Sequence, residues 1–172
     1  VSGLNDADRA EKAAGSAQMT WEELSPDLVA AITAAAVDGD VKAQWNMGIL
    51  YLTGFNARVP KDVEKAVFWL TKAAEQGDAR AQLNLYFVYR DGDGIPQDED
   101  LARQWLVKSS ETGLKEADAE LARIYMFGGV FAADDSKANL YLQKLAQAGD
   151  RWAQFNLAVH LEFGRGLEVD EK

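Results

Sequence analysis

The stretch GDARAQLNLYFVYRDGDGIPQDEDLARQWLVKSSET, residues 77–112, decides the fold of this chain because its pattern recurs before it and after it. It opens on a glycine, and the corresponding glycines are Gly39, Gly77, Gly113 and Gly149, separated by 38, 36 and 36 residues. Self-similarity at this period is typical of stacked supersecondary units, each of which buries its apolar face only against its neighbours. The sequence therefore predicts a repeat protein.

The same residue types return at the same distances from each glycine. Alanine stands four residues on, methionine or leucine eight on, and tyrosine or leucine twelve on. A second glycine follows fifteen residues on, and after it come an aspartate, an alanine and an aromatic residue followed by leucine. In the second unit these residues are Ala81, Leu85, Tyr89, Gly92, Asp98, Ala102, Trp105 and Leu106.

Each unit is predicted to form two helices joined by a turn. Apolar residues at steps of four keep one face of the first helix apolar, and Asp78 is a suitable N-cap for it. Gly92 is expected to end that helix in a left-handed conformation, and Asp98 is expected to cap the second helix. The expected fold class is therefore all-α, a solenoid of αα-hairpins.

These residues resemble the Sel1-like repeat, a relative of the tetratricopeptide repeat. The pattern A-x-x-x-L-x-x-x-Y-x-x-G, then D-x-x-x-A-x-x-W-L-x-x-A-A-x-x-G, carries the resemblance over residues 38–172. It implies a right-handed solenoid. The family often has glycine directly after the leucine, but only Gly48 matches, and Tyr86, Ala122 and Ala158 replace it. The bulk of Tyr86 is expected to alter the local helix spacing.

One domain is predicted after a short N-terminal segment. We expect a flexible N-terminal segment at residues 1–20 and a single solenoid at 21–172, with a cap at 21–38, repeats at 39–76, 77–112 and 113–148, and a partial repeat at 149–172. Thr20 and Glu23 are a candidate capping box, and Ser25 with Pro26 begins a firmer helix. Asp170 is placed to cap a further helix, so we interpret the chain as part of a longer array.

Composition argues against several classes of partner and site. The 172 residues carry 28 acidic and 18 basic side chains, a formal net charge of −10, which disfavours nucleic acid and anionic membranes. The acidity either favours a basic or neutral partner protein or simply keeps an apolar solenoid soluble. There is no cysteine, which excludes disulfides and thiolate metal sites. No apolar run approaches the ~20 residues of a transmembrane helix. The chain begins at Val1 without methionine, so we interpret it as a processed protein or a cut fragment, and a removed signal peptide is one cause that fits. A periplasmic or secreted location is slightly favoured over a cytoplasmic one.

A partner-binding face is predicted from the resemblance, because a related tetratricopeptide solenoid lines its concave face with the first helix of each unit. The matching positions lie three, six, seven, ten and thirteen residues after each glycine. The candidate residues are Trp45, Asn46, Ile49, Arg80, Leu83, Asn84, Phe87, Arg123, Trp152, Phe155 and Asn156. The apolar members either pack unit against unit or line a groove for a helix or extended segment. The asparagines either bind a ligand backbone or are a common string of the family, and Arg80 either meets an acidic group or is solvated.

No catalytic, cofactor or metal site is predicted. The acidic stretch from Asp91 suggests calcium, but its fifth and twelfth positions are Ile95 and Ala102, where an EF-hand needs oxygen ligands. His160 has no nucleophile beside it in the sequence. The expected function is a non-enzymatic scaffold for protein–protein interaction, which the resemblance implies works in a bacterial envelope, signalling or assembly pathway. The alternatives are an architectural segment that self-associates through its exposed ends and, more distantly, a hydrolase acting on a small substrate.

Overall fold

The computed structural model describes residues 25–54 and 59–166. These residues form eight α-helices joined by short turns. They are α1 (Pro26–Val37), α2 (Val41–Thr53), α3 (Val63–Glu75), α4 (Ala79–Asp91), α5 (Glu99–Glu111), α6 (Lys115–Phe127), α7 (Asp135–Gln147) and α8 (Arg151–Glu162). In the terms of the repeat, α2, α4, α6 and α8 are first helices, and α1, α3, α5 and α7 are second helices.

Aspartate caps determine where most of these helices begin. Asp62, Asp98 and Asp134 precede the second helices α3, α5 and α7, and each carboxylate accepts a hydrogen bond from the backbone N–H three residues on. Such a cap satisfies one of the N–H groups that the first turn leaves unpaired. α6 differs, because Leu114 stands at its N-cap without a side-chain hydrogen bond and packs against the core.

The predicted helix boundaries are confirmed where the structure describes them. Ser25 caps α1 with its side chain, and Pro26 occupies the first helical position. Gly92 ends α4 with φ 67° and ψ 19°, the left-handed conformation that a Cβ atom disfavours. The proposed capping residues Thr20, Glu23 and Asp170 lie outside the described residues.

The helices stack in chain order. Each helix from α2 to α7 packs against the helix before it and the helix after it, and the first helices α2 and α4 also contact each other. Contacts limited to near neighbours are the mark of a solenoid, in which every unit relies on the next one for burial. The predicted all-α helical-repeat fold is confirmed.

Small and aliphatic residues at the repeat positions form the core. The fully buried alanines and leucines include Ala66, Ala81, Ala102, Ala117, Ala138, Ala153, Leu70, Leu85, Leu106, Leu121 and Leu142. Alanine lets two helix backbones approach closely, and leucine fills the space that remains. Tyr89 and Trp105 each pack against two hydrophobic clusters, so they join the second unit to its neighbours.

A polar contact repeats between successive units. Gln82 lies five residues after its glycine, and its Nε2 donates to the carbonyl of Ala74, three residues before that glycine. Gln44 and Gln154 make the same bond to the corresponding alanines. In the third unit Asp118 and Ser110 occupy these two positions. The Ser110 hydroxyl donates to the Asp118 carboxylate at 2.6 Å. Each first helix is thereby tied to the end of the second helix before it.

The glycine that the family favours after the leucine has a steric role in the first unit. A Cβ atom at Gly48 would lie 2.5 Å from Cγ of Leu70, so α2 and α3 approach too closely there for a side chain. Tyr86 holds the equivalent position in α4, where it is fully buried. Its hydroxyl reaches α6 and donates to Glu120 Oε1 at 2.6 Å. The large side chain therefore extends towards the next unit.

Candidate partner-binding surface

The first helices bring their outward side chains to one continuous surface. α2 contacts α4, and side chains of α4 reach both Trp45 on α2 and Glu120 on α6. We call the side chains at positions three, six, seven, ten and thirteen of α2, α4, α6 and α8 the first-helix surface. All eleven predicted site residues belong to it.

Trp45 and Arg80 form one aromatic–guanidinium pair on this surface. Arg80 of α4 lies over the Trp45 ring of α2, with Cζ 4.2 Å from the ring centroid. The same guanidinium pairs with Asp78 at 2.8 Å, which holds it in place. Trp45 is half-buried and packs against the cluster that contains Leu70 and Leu85, while its Nε1 is buried without a hydrogen-bond partner.

Phe87 and Arg90 form a second pair on α4. Arg90 Cζ lies 4.9 Å from the Phe87 ring centroid and 5.3 Å from that of Tyr86. Phe87 and Leu83 are half-buried and pack against the cluster centred on Tyr86 and Leu121. Leu83 and Phe87 therefore pack against the core and also remain partly accessible.

Glu120 joins the second pair to α6. Its Oε1 accepts hydrogen bonds from Tyr86 at 2.6 Å and from Arg90 at 3.2 Å. Arg123 donates to the same carboxylate, with Nη2–Oε1 2.7 Å and Nε–Oε2 2.9 Å. Two guanidiniums and a phenol therefore converge on a single acidic side chain that is only 14% exposed.

The protonation states in this cluster follow from burial and hydrogen bonding. Burial and the hydrogen bond to Glu120 raise the pKa of Tyr86 to about 12, so the phenol stays neutral. Burial alone would raise the pKa of Glu120, but hydrogen bonds from Arg123 and Tyr86 outweigh it and lower that pKa below its ordinary value. The carboxylate is thus charged and the arrangement is held by charge-assisted hydrogen bonds.

The remaining predicted site residues are distributed along the same surface. Asn46, Ile49 and Asn84 are half-buried. On α8 the aromatic residues are more open, with Trp152 43% and Phe155 69% exposed. Asn156 uses its amide within α8, because Nδ2 donates to the carbonyl of Trp152 at 2.8 Å.

Sequence reasoning missed the roles of Tyr86, Arg90 and Glu120. Tyr86 replaces the glycine that the family favours, and Glu120 holds position seven, where the other three units have asparagine. These two departures lie one unit apart, and the structure shows that they bond to each other. Two departures from the repeat pattern in neighbouring units are the sequence signal that could have identified the cluster.

Other site chemistries find little support in the described part of the chain. Residues 25–54 and 59–166 hold no group of three or more acidic or histidine side chains able to bind a metal ion. His160 is buried, and its Nδ1 lies 2.8 Å from Asn139 Oδ1, a contact between α8 and α7. No helix among these residues is long and apolar enough to cross a membrane.

The register of the repeats identifies the family. A family model described as Sel1 repeat matches residues 41–78, 79–114, 115–150 and 153–172, which is most of the chain. The chain belongs to the Sel1 repeat family. Repeats of this family are in general protein–protein interaction modules, and proteins built from them are typically non-enzymatic scaffolds.

Solved structures agree with this assignment. A Sel1 repeat protein from Oxalobacter formigenes is 32% identical, with a TM-score of 0.64, and the match covers 76% of this chain and 96% of that one. A Klebsiella pneumoniae protein described as a putative Sel1 repeat protein is 28% identical, with a TM-score of 0.53 and coverage of 73% and 57%.

A third structure shares the fold at lower identity. It is a protective antigen of uropathogenic Escherichia coli displaying an SLR fold, 24% identical with a TM-score of 0.76, and the match covers 96% of this chain and 38% of that one. No match was found among curated proteins.

Proposed function

We propose that this Sel1 repeat chain is a scaffold that binds a partner protein or peptide on the concave side of the solenoid, along the first-helix surface. The observation that carries the proposal is the pair of aromatic–guanidinium stacks, Trp45 with Arg80 and Phe87 with Arg90. Tryptophan, tyrosine and arginine are the residues in which binding energy concentrates at protein interfaces. Here they are partly exposed and already held in position, which lowers the entropy lost on binding.

Acidic side chains hold the guanidiniums of this surface in position. Asp78 fixes Arg80, and Glu120 fixes Arg90 and Arg123. The planar guanidiniums of Arg80 and Arg90 each keep one face over an aromatic ring, so their outer edges remain donors for backbone carbonyls or carboxylates of a partner. Apolar side chains beside them supply the area that a helix or an extended segment would cover.

The indole of Trp45 offers a specific point of contact. A buried N–H without an acceptor is unfavourable by about 1–3 kcal/mol, and Trp45 Nε1 is such a group under Arg80. A partner carbonyl that reached Nε1 beside the Arg80 stack would satisfy it. This favours a partner that contributes a hydrogen-bond acceptor between the first and second units.

The partner is proposed to be neutral or basic overall, since the chain carries a net charge of −10. A bacterial origin is proposed because the similar structures come from Oxalobacter, Escherichia and Klebsiella. A role in an envelope, signalling or assembly pathway is proposed from the resemblance to Sel1-like proteins alone.

Peptide selection followed by a face-specific comparison tests the proposal. A displayed library of random peptides is selected on the immobilised full chain, and the affinity of a selected peptide is measured by calorimetry. Arg80→Ala and Phe87→Ser are expected to weaken binding about tenfold or more, because loss of an interface hot spot is worth at least about 1.4 kcal/mol. Circular dichroism of each variant checks that the helices persist.

The second-helix side of the solenoid offers a matched control. Phe68 on α3 is 54% exposed, and Lys72 Nζ lies 5.0 Å from its ring centroid. This is another aromatic–cation pair, but it is not on the first-helix surface. Phe68→Ser and Lys72→Ala are expected to change affinity by less than about twofold. If these two variants lose binding and Arg80→Ala retains it, the binding site lies on the other face and the proposal is wrong.

A further inference from the structure

In two units of the solenoid a lysine ammonium lies between the capping aspartate of the second helix and the tyrosine near the end of the first helix. These residues are Tyr51, Asp62 and Lys65 in the first unit and Tyr125, Asp134 and Lys137 in the third. The distances from Nζ to the carboxylate are 2.8 and 3.4 Å. The distances from Nζ to the centroid of the tyrosine ring are 5.5 and 5.3 Å. The aspartate and the tyrosine of one unit thus form a binding site for an ammonium group.

The second unit has the aspartate and the tyrosine but not the lysine. Tyr89 and Asp98 stand at the matching positions, and Leu101 replaces the lysine. Burial and the negative charge of Asp98 raise the pKa of Tyr89, so the carboxylate acts on that ring as well. The Asp98 side chain accepts the capping hydrogen bond from the N–H of Leu101. Within residues 25–54 and 59–166 it forms no ion pair, and no lysine or arginine lies over Tyr89.

A cleft of about 400 Å³ lies beside this pair, at the edge of the solenoid where the α4–α5 loop meets α3. Its lining includes Tyr89 and Asp98, Glu64 and Val67 of α3, and Ile95 and Pro96 of the loop. Glu64 adds a second carboxylate that is exposed and that forms no ion pair with the described part of the chain. The apolar members offer a surface along which an aliphatic stem can lie. The cleft therefore matches a ligand with an apolar stem and a positively charged end.

The loop that forms one wall of the cleft is held against α3. A Cβ atom at Gly94 would lie 2.7 Å from Cγ2 of Val63, so the loop backbone approaches α3 closely. Lys61 Nζ, just before α3, pairs with Asp93 in the loop at 2.5 Å. The walls are thus in place before a ligand arrives, which lowers the entropy lost on binding.

We propose that this cleft binds a lysine side chain of a partner protein, with the ammonium between the Asp98 carboxylate and the Tyr89 ring. The partner lysine takes the place that the chain's own lysines take in the first and third units. The argument rests on charge complementarity, because the lining carries two carboxylates and no basic residue. The site lies outside the first-helix surface, so it is independent of the binding proposed there.

Nuclear magnetic resonance with a lysine peptide tests the proposal. The probe is the blocked tripeptide Gly-Lys-Gly, titrated into the ¹⁵N-labelled full chain. Backbone amide signals of residues 95–98 and of Leu101 are expected to shift and to saturate. The same tripeptide with norleucine in place of lysine keeps the stem but lacks the ammonium. It is expected to bind about tenfold more weakly or worse, because a charged donor is lost.

Substitution of Leu101 is the decisive test. Leu101→Lys supplies the missing lysine from the chain itself, as in the other two units, and is expected to abolish binding of the lysine tripeptide. Leu101→Met is the matched control, since its unbranched side chain is uncharged, and its affinity is expected to stay within about twofold of the wild type. If Leu101→Lys binds the tripeptide as the wild type does, the ammonium does not lie at Asp98 and the proposal is wrong.

A second pair of variants tests the charge. Asp98→Asn keeps a residue that caps helices well but removes the carboxylate, and it is expected to weaken binding about tenfold. Glu99→Gln removes a neighbouring charge that is exposed and outside the cleft lining. It is expected to change affinity by less than about twofold. Equal effects of the two would show that only the overall charge of the chain matters. Circular dichroism checks that each variant remains helical.

Three further outcomes would overturn the proposal. The first is a wild type whose signals do not shift up to the solubility limit of the lysine tripeptide. The second is tighter binding of pentane-1,5-diamine than of the tripeptide, which would identify a free polyamine as the ligand. The third is loss of tripeptide binding in Arg80→Ala or Phe87→Ser, which would place the lysine on the first-helix surface. Both variants are expected to bind the tripeptide like the wild type, so the two proposals can fail separately.

Discussion

Glu120 stands where the neighbouring units have asparagine, and three side chains donate hydrogen bonds to its carboxylate. Tyr86 and Arg90 approach it from α4, and Arg123 from its own helix. Hydrogen bonds to a buried charged group are stronger than neutral ones but depend on the charge being present. The stability of this contact between units therefore depends on pH.

Glu120→Gln tests that dependence. At neutral pH the variant is expected to be less stable by about 1–3 kcal/mol, because the amide cannot bind two guanidiniums as a carboxylate does. The folded pKa of Glu120 lies below its ordinary 4.5, so its contribution is complete above that value and is lost as pH falls through the folded pKa. The difference between wild type and variant should shrink below pH 4.5, as measured by urea unfolding at several pH values.

Glu116→Gln is the matched control on the same helix, since Glu116 is exposed. It is expected to leave stability unchanged within about 0.5 kcal/mol. A constant difference between Glu120→Gln and wild type down to acid pH would mean that the charge of Glu120 does not contribute.

At the scale of the helix, the aspartates before α3, α5 and α7 define where each second helix starts. The carboxylate of Asp98 accepts from the N–H of Leu101 at 2.9 Å. This bond sets the angle at which the chain turns from the loop into α5. The helix must begin at that residue for Ala102 and Leu106 to face the core.

Asp98→Ala is expected to reduce the free energy of unfolding by about 0.5–2 kcal/mol, because an N–H of the first turn loses its partner. Asp98→Asn should recover most of that loss, since asparagine caps helices about as well. Asp93→Ala, in the same loop, removes only an exposed ion pair with Lys61 and should have little effect. Urea unfolding measures all three, and equal losses for Asp98→Ala and Asp98→Asn would contradict the capping role.

At the scale of the whole molecule, stability depends on how many neighbours each helix has. α4 and α6 each lie between two second helices, whereas α8 packs against α7 and its Ala158 and Leu161 are exposed. In a stack whose units stabilise only their neighbours, the end unit opens at lower free energy than the middle.

Hydrogen exchange measured by mass spectrometry checks this gradient. At a concentration where sedimentation shows a monomer, backbone amides of α8 are expected to exchange about tenfold or more faster than those of α4, a difference of about 1.4 kcal/mol in opening free energy. Uniform exchange from α2 to α8 would show that the chain opens as one cooperative unit instead.

The sequence by itself determined the repeat, the helix boundaries and the caps. Those features depend on residues close together in the chain. An aspartate caps its own helix, a glycine such as Gly92 adopts the left-handed conformation locally, and steps of four place Ala81, Leu85 and Tyr89 on one helix face. Sequence reasoning could therefore predict the fold and the positions that form the first-helix surface. The helix boundaries are predicted to within one or two residues.

Only the tertiary structure decided which residues of that surface are covered. Whether an apolar residue at position six or ten is covered depends on the unit that follows, and so Trp45 is half-buried while Phe155 is open. The bond between Tyr86 and Glu120 joins residues 34 positions apart, which no local pattern encodes. Burial could not be predicted from any one segment, because it depends on how the units stack.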